Sequence, residues 1–248
     1  MLTYERRQRI LEYIEENGAA SVAALSEHLG ASESTIRRDL AELSNLGKIN
    51  KVHGGATATT QEFHNREDTI GVKVKENLAA KTAIAEYAAS LINDDDYVFI
   101  DAGSTTFLMT TFIKNTKATF ITNGLAHASE LAKNGCRVTV IGGDLKHTTE
   151  AITGAVALSN ISRYNFSKAF IGVNGATVKQ GYTTPDPNEA AIKAAAIDRS
   201  FVSYVLADST KFGKVAAVTV SPLDTSCIIC DRCRDAEIKN KTVVKEVN

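Results

Sequence analysis

Ser32-Glu33-Ser34-Thr35-Ile36-Arg37-Arg38-Asp39-Leu40-Ala41-Glu42-Leu43-Ser44-Asn45-Leu46 is the stretch around which the chain reads. Ser32 is a good helix N-cap, because its hydroxyl accepts from an otherwise unpaired first-turn amide, and Glu33 follows where the helix dipole favours a negative charge. At about 100° per residue, Ile36, Leu40 and Leu43 fall in one narrow sector. Ser34, Arg38, Ala41 and Asn45 lie opposite, with Thr35 and Arg37 on the flanks. One face is core. The other sets two arginines among short side chains, which lets a backbone or a base edge come close. In isolation that is a solvated face with two incidental arginines; the flanking segments change the reading.

Arg6 to Asn17 repeats apolar positions at Ile10, Leu11 and Ile14, and Asn17-Gly18 stops the pattern, so a first helix is expected there. Ser21 caps a second, with Val22, Leu25 and Leu29 at helical spacing, and only Gly30-Ala31 separates it from the Ser32 cap. Two helices joined so tightly make a helix-turn-helix. Gly47 ends the third helix. Lys48-Ile49-Asn50-Lys51-Val52 then reads as a strand entering a His53-Gly54-Gly55 turn, with Ala56 to Thr60 returning as the second half of a wing. Bulk charge does not announce a nucleic-acid partner, since residues 1–55 hold seven Lys/Arg against eight Asp/Glu. Placement does, because Arg37, Arg38, Lys48 and Lys51 gather on the third helix and wing while most acids fall on the first two helices. The expected DNA contacts are Ser32, Ser34, Thr35, Arg37, Arg38 and Ala41 on the helix and Lys48, Lys51, His53 and Gly54 on the wing. Phosphate contacts supply affinity and a few base-edge contacts supply specificity.

Thr35-Ile36-Arg37-Arg38-Asp39-Leu40, followed by Leu43, Gly47 and Val52-His53-Gly54-Gly55-Ala56, resembles the winged helix-turn-helix of the DeoR family of bacterial transcriptional regulators. The resemblance covers residues 1–57. Asn50-Lys51 departs from the family, which often has a basic residue at one or both positions.

A chain of 248 residues is expected to hold a second domain. Residues 58–77 read as a linker or arm, since Thr57 to Thr69 is polar and aperiodic, and 78–248 as an α/β domain. No run is long enough to span a bilayer, and MLTYERRQ is charged where a signal peptide needs an apolar stretch, so a cytoplasmic protein without membrane contact is expected. Cys227, Cys230 and Cys233 form a C-x2-C-x2-C run. However, Ser226 to Asp231 reads as a buried strand, in which residues three apart point to opposite faces and cannot share a metal. Neither metal nor other cofactor nor disulfide is expected.

In the second domain, helical Leu78 to Leu91 leads to β-runs at Tyr97–Ile100, Ala118–Thr122, Arg137–Ile141, Ala169–Val173, Ser203–Ala207, Ala216–Val220 and Cys227–Cys230. Helical stretches at Thr105–Phe112, Leu125–Lys133 and Asn188–Ser200 fall between some of them, which argues a largely parallel α/β sheet. Ligands bind such sheets at the carboxyl ends of strands. Those ends are polar and glycine-rich: Asp101-Ala102-Gly103-Ser104-Thr105-Thr106, Thr122-Asn123-Gly124, Gly142-Gly143-Asp144, Gly172-Val173-Asn174-Gly175 and Asp208-Ser209-Thr210-Lys211. Turn formation explains each alone; together on one rim they suit a polyol phosphate. Thr184, in a loop stiffened by Pro185 and Pro187, and Glu189 and Lys193, four apart on a helix, join that expected pocket. The plain reading of the last pair is a surface salt bridge. Lys211 can neutralise a phosphate as a point charge, and His147 reads either as a donor to ligand hydroxyls or as a surface histidine.

The segments from Ile100-Asp101-Ala102-Gly103-Ser104-Thr105-Thr106 to Ala207-Asp208-Ser209-Thr210-Lys211-Phe212-Gly213-Lys214 also resemble the sugar-phosphate sensor domain of DeoR regulators, which is related in fold to ribose-5-phosphate isomerase. Gly142-Gly143 to Glu150-Ala151 and Gly181-Tyr182-Thr183-Thr184-Pro185-Asp186-Pro187-Asn188-Glu189-Ala190 look like the fructose-operon repressors of Gram-positive bacteria, which implies fructose 1-phosphate as the effector. The resemblance implies a DNA-binding repressor, a homodimer or homotetramer on operator DNA, with no catalytic residue. The alternative is a phosphosugar isomerase with a DNA-binding appendage, using Glu189 or Asp208 as base and Lys211 or Lys193 as electrophile.

Overall fold

A computed structural model of the chain describes residues 2–46, 48–58, 62–63 and 69–247, in two units, residues 1–62 and 63–248. The first unit runs α1 (Thr3–Asn17), β1 (Ala19–Ser21), α2 (Val22–Leu29), α3 (Glu33–Asn45), β2 (Ile49–Val52) and β3 (Gly55–Ala58). Ile36, Leu40 and Leu43 of α3 pack with Ile10, Ile14, Leu25 and Ile49 in one core, as the sector on α3 requires. Both serine caps form: Ser21 Oγ accepts from the Ala24 amide at 3.1 Å and Ser32 Oγ from Thr35 at 3.3 Å. Gly47, expected to end α3, and Thr59 and Thr60, expected in the returning strand, lie outside the described residues.

The three strands make an antiparallel sheet in the order β1-β3-β2, with β1 an element that the sequence reading does not contain. The two wing glycines answer different constraints. Gly54 takes φ +80° in the two-residue turn between Val52 and Gly55, a conformation that side chains resist. Gly55 sits against β1 so closely that a Cβ would lie 2.2 Å from the Ala20 carbonyl oxygen. Asp39 was legible only as part of an Arg-Arg-Asp run, yet it is buried, and its carboxylate takes the Arg6 Nε at 2.5 Å and the Arg7 Nε at 3.0 Å. It therefore fastens α1 to α3.

The second unit follows β4 (Glu62–Phe63), whose first residue belongs to the other unit. Its elements are α4 (Ile70–Lys75), α5 (Leu78–Ser90), β5 (Tyr97–Ile100), α6 (Ser104–Phe112), β6 (Thr119–Thr122), α7 (Leu125–Lys133), β7 (Arg137–Val140), β8 (Asp144–Lys146), β9 (Ala151–Thr153) and α8 (Gly154–Ile161). After these come β10 (Phe166–Gly172), β11 (Gly175–Thr177), β12 (Gly181–Thr184), α9 (Pro187–Asp198), β13 (Ser200–Leu206), β14 (Lys214–Val215), β15 (Val218–Ser221), β16 (Cys227–Cys230), α10 (Ala236–Lys241) and β17 (Val244–Glu246). Seven strands form one parallel sheet in the order β17-β16-β13-β10-β5-β6-β7. Successive strand residues serve opposite faces. Phe99, Ile171, Val205 and Ile228 join α8, α9 and α10 on one side, and Val98, Ile100, Phe170 and Ile229 join α5, α6 and α7 on the other.

The chain moves outward through β5, β6 and β7, returns beside β5 as β10, and moves out the other way. The sheet thus reverses its order between β5 and β10, where parallel sheets open a crevice for ligands. The expected Ala216–Val220 strand resolves differently: β15 pairs antiparallel with β12 in a small sheet with β11, apart from the parallel one. Cys230 and Cys233 are buried in the core under α9 and α10. Burial, with the negative groups Cys233, Glu246 and Asp231 around it, pushes the Cys230 thiol up to about 12. Among the described residues no helix is long and apolar enough to cross a membrane.

One buried histidine fixes the turn after β5. His127 is 1% exposed, and its Nε2 lies 3.0 Å from the Gly103 carbonyl and 3.2 Å from Thr106 Oγ1. The carbonyl can only accept, so the proton is assigned to Nε2 and Nδ1 is left without a partner. Gly124 makes room for the ring, since a Cβ there would lie 2.3 Å from Nδ1. Burial depresses the His127 pKa from 6.5 to about 4 against the pull of the Gly103 carbonyl, with Lys193 lowering it further.

Two predictions follow from these packing features. Asp39→Ala should destabilise the first unit by about 1–3 kcal/mol, below the ~3–5 kcal/mol of a fully buried pair because both arginines reach water. Urea unfolding followed by amide exchange in α1 and α3 measures it. His127 is protonated more readily in the unfolded chain than in the folded one, so its contribution is complete above pH 6.5 and declines as pH falls toward 4. The loss over that window should be about 3 kcal/mol. His127→Gln should flatten that part of the stability–pH curve, and an unchanged slope would refute the assignment.

Candidate functional site

The crevice at the β5–β10 reversal is a pocket. Ala102, Gly103, Ser104 and Thr105 line it from the turn into α6, Gly172, Val173 and Asn174 from the end of β10, and Glu189 and Lys193 from α9. Thr149, Lys73, Lys81, Leu206 and Lys211 complete the wall. Asp101, 1% exposed, ends β5 at its floor, where Oδ2 accepts from the Gly172 amide at 3.0 Å and from Lys193 Nζ at 2.5 Å. Glu189 accepts from the Thr149 hydroxyl at 2.7 Å and from Lys146 Nζ at 3.1 Å. Lys146 also pairs with Asp186 at 3.0 Å, and Asp186 caps α9 by accepting from the Asn188 and Glu189 amides. Burial alone would raise the Glu189 carboxyl, but Lys193, the Thr149 hydroxyl and Lys146 more than offset it and hold it below the ordinary glutamate value.

The lining also carries lysines. Lys81, 2% exposed, donates to the Lys73 carbonyl. Its burial lowers its pKa, Asp208 pulls the other way, and Lys211 lowers it again. Lys211 and the hydroxyls of Ser104 and Thr105 make no side-chain hydrogen bond or ion pair among the described residues. They stand beside the first turn of α6, whose amides point toward the pocket end of the helix. An anion is the ligand such a lining can hold, and its carboxylate suits hydroxyls.

Of the residues that the sequence points to, Gly103, Ser104, Thr105, Gly172, Asn174, Glu189, Lys193 and Lys211 come together on the wall. Others stand behind it. Thr106 Oγ1 donates to the Asp101 carbonyl and accepts from the Gly103 amide, so its hydroxyl is spent on the turn. Thr122 donates to the Ile100 carbonyl at 2.6 Å, and Asn123 Oδ1 accepts from the Ala102 amide at 2.9 Å. Thr184 orients Asn174 through a 3.0 Å hydrogen bond. Asp208 Oδ1 accepts from Asn77 Nδ2 at 3.2 Å, while its buried Oδ2 has no partner among the described residues. Gly142, Gly143 and His147 are not on the wall and are exposed. They flank β7 and β8, and β7 is the sheet edge, two strands or roughly 10 Å from β5. Lys73, Lys81, Lys146 and Thr149 were missed. Lys81 carried a readable signal, for it shares the stripe Ile84, Ala85 and Ala88 and is thus a lysine at a core position.

In the first unit, Ser32, Ser34, Arg37, Arg38, Lys48, Lys51, His53 and Gly54 are exposed, and Thr35 and Ala41 half-buried. The two arginines differ. Arg37 Nη2 pairs with Glu33 one turn earlier at 2.8 Å, whereas Arg38 has no side-chain partner among the described residues.

The units match two family models, a DeoR-like helix-turn-helix domain over residues 6–62 and a DeoR C terminal sensor domain over residues 76–232. The chain is 39% identical to FruR of Bacillus subtilis (strain 168), an uncharacterized HTH-type transcriptional regulator, over 100% of this chain and 99% of that protein. It is 35% identical to the lactose phosphotransferase system repressor of Staphylococcus aureus (strain NCTC 8325 / PS 47), over 86% of each. Among solved structures, ribose 5-phosphate isomerase A from Methanocaldococcus jannaschii aligns with 56% of each chain at 14% identity and a TM-score of 0.42. The two family models and the relatives show that the chain belongs to the DeoR family of helix-turn-helix transcriptional regulators.

Proposed function

We propose that this protein represses a sugar-utilisation operon and that a phosphorylated sugar, fructose 1-phosphate as first candidate, controls it from the pocket at the β5–β10 reversal. The observation that carries the reading is one lining that combines an unpartnered Lys211, free Ser104 and Thr105 hydroxyls and an engaged carboxylate, Glu189. The names of the relatives support the sugar-operon part, since one is a FruR and another a lactose phosphotransferase system repressor. At least a dimer is needed to set two α3 helices in successive major grooves, and the effector acts by shifting the populations of DNA-competent and incompetent arrangements. Arg38, unpaired, is the better candidate for base readout, with Lys48, Lys51 and His53 on phosphates. Ser32, Ser34, Thr35, Ala41 and Gly54 allow the close approach.

The isomerase alternative gains no support from the pocket. A general base near neutrality needs a raised carboxyl, and Glu189 is held in the other direction.

Arg38→Ala should cost about 1–3 kcal/mol of operator affinity and relax specificity, while Lys51→Ala should weaken all sequences alike and lower the salt slope. Fluorescence anisotropy on operator and scrambled duplexes separates the two. Normal operator binding by the Arg37→Ala/Arg38→Ala double variant would remove α3 as the reading helix. For the effector, titration of fructose 1-phosphate into the protein–operator complex should change operator affinity roughly 5–150-fold, with an equal reciprocal change in effector affinity. Fructose 6-phosphate, free fructose and inorganic phosphate serve as comparisons. Free fructose acting as well as its phosphate, or Lys211→Ala responding like wild type, would overturn the anion wall. Consumption of the sugar phosphate at a catalytic rate would put the isomerase in its place.

A further inference from the structure

We infer that Lys81 transmits occupancy of the pocket to α4, the first helix of the sensor unit. The inference rests on the anionic-effector reading above and concerns how that site is read out. Lys81 stands at a core position of α5, and its ammonium is the group that joins the pocket wall to the backbone of another element. One of its three donors goes to the carbonyl of Lys73, in the last turn of α4, where helical carbonyls lack intrahelical partners. The other two are left for whatever occupies the pocket.

The groups that face this ammonium are Asp208, Lys211, Glu76 and Lys73. Asp208 is itself 1% exposed, with Oδ1 engaged by Asn77 and Thr210 and Oδ2 without a partner among the described residues. Two lysines and burial disfavour the charged form of Lys81, and an anion between Lys81 and Lys211 opposes both effects. Binding therefore adds charge-assisted hydrogen bonds to the Lys81 ammonium, the donor of the contact with the Lys73 carbonyl.

α4 is suited to register that change. It has six residues, and Gly71, Val72 and Lys75 are exposed while Lys73 and Val74 are only half-buried. A six-residue helix with residues 71–75 exposed or half-buried belongs to the low-stability part of a fold, where a small local gain alters the population of the ordered form. In sequence it lies between the DNA-binding unit and α5, so its order bears directly on the segment that joins them.

Amide exchange across residues 71–75 of the full chain, free and with saturating fructose 1-phosphate or inorganic phosphate, tests the inference together with operator affinity. In wild type both ligands should slow these amides, and fructose 1-phosphate should shift operator affinity by roughly 5–150-fold. In Lys81→Met the same amides should exchange faster without ligand. Ligand, still held at Lys211 and Thr105, should neither slow them nor shift operator affinity. Lys81→Arg, which keeps charge and donors, should restore both responses. Equal operator shifts in wild type and Lys81→Met would overturn the relay and leave the sensor reading standing, as would bound ligand that leaves wild-type exchange unaltered. Calorimetry showing that neither ligand binds wild type would remove the sensor reading and the relay with it. If Lys81→Met does not fold, the wild-type exchange comparison decides.

Discussion

The sensor unit depends on what the Asp101 carboxylate joins. At the reversal of the sheet, the parallel ladder aligns β5 with β10 but does not fix α9 above them. Asp101 does so with one side chain: Oδ2 takes the Gly172 amide at the end of β10 and the Lys193 ammonium from α9. Its backbone amide donates to the Phe170 carbonyl, and its own carbonyl receives the Thr106 hydroxyl that starts α6. Two strands and two helices therefore meet at one residue. Glycine suits that closeness, since a Cβ on Gly172 would lie 3.3 Å from Oδ2 and press the carboxylate out of place by a few tenths of an ångström. Removing one partner of so buried a pair costs ~3–5 kcal/mol, a large share of the stability of an ordinary domain.

The same pairing decides the electrostatics of the pocket. Lys193 is spent on Asp101, and Lys146 on Asp186 and Glu189, so these charges shape the walls more than they attract a ligand. The attraction falls to Lys211 and Lys81. In the proposed sensor such a pocket separates two tasks, with carboxylates to accept hydrogen bonds from hydroxyls and lysines to face a phosphate. Asp186 and Glu189, at the start of α9, already have their cation in Lys146.

Much of this was legible in the sequence, for identifiable reasons. The helical stripe of α3, the two serine caps and the glycine turn of the wing are local signals, and local signals survive in a sequence read alone. The polar strand ends were legible too, because Gly, Asn and Asp cluster wherever a parallel strand gives way to a helix. Strand order was not legible, and with it went the rim. Only the reversal between β5 and β10 explains why Gly103, Asn174 and Lys211 meet while Gly142 and Gly143 lie past the edge strand β7; His147, after β8 and next to Lys146, is exposed and off the wall. Thr106, Thr122 and Asn123 illustrate a second limit, for a polar residue at a strand end serves the backbone as readily as a ligand, and only the hydrogen-bond partners distinguish the two. Asp39 was hidden because its partners lie more than thirty residues away on another helix. Lys81 was not hidden; its place on an apolar stripe was visible and was not weighed.

Asp39 also resolves the absence of bulk positive charge from the DNA-binding unit. Seven Lys/Arg against eight Asp/Glu over residues 1–55 treats every charge as free. Arg6 and Arg7 are engaged by Asp39, and Arg37 by Glu33, so these five charges largely cancel within the fold. Arg9, Arg38, Lys48 and Lys51 remain exposed and without side-chain partners among the described residues, and three of these four stand on α3 and the wing. Affinity for DNA follows the cations that displace counterions at the contact surface, not the net charge of the unit. In the proposed reading, two copies on adjacent half-sites supply the tight binding that so few cations per unit do not. An effector that alters how two copies present their α3 helices then has a large effect on occupancy without touching a single DNA contact.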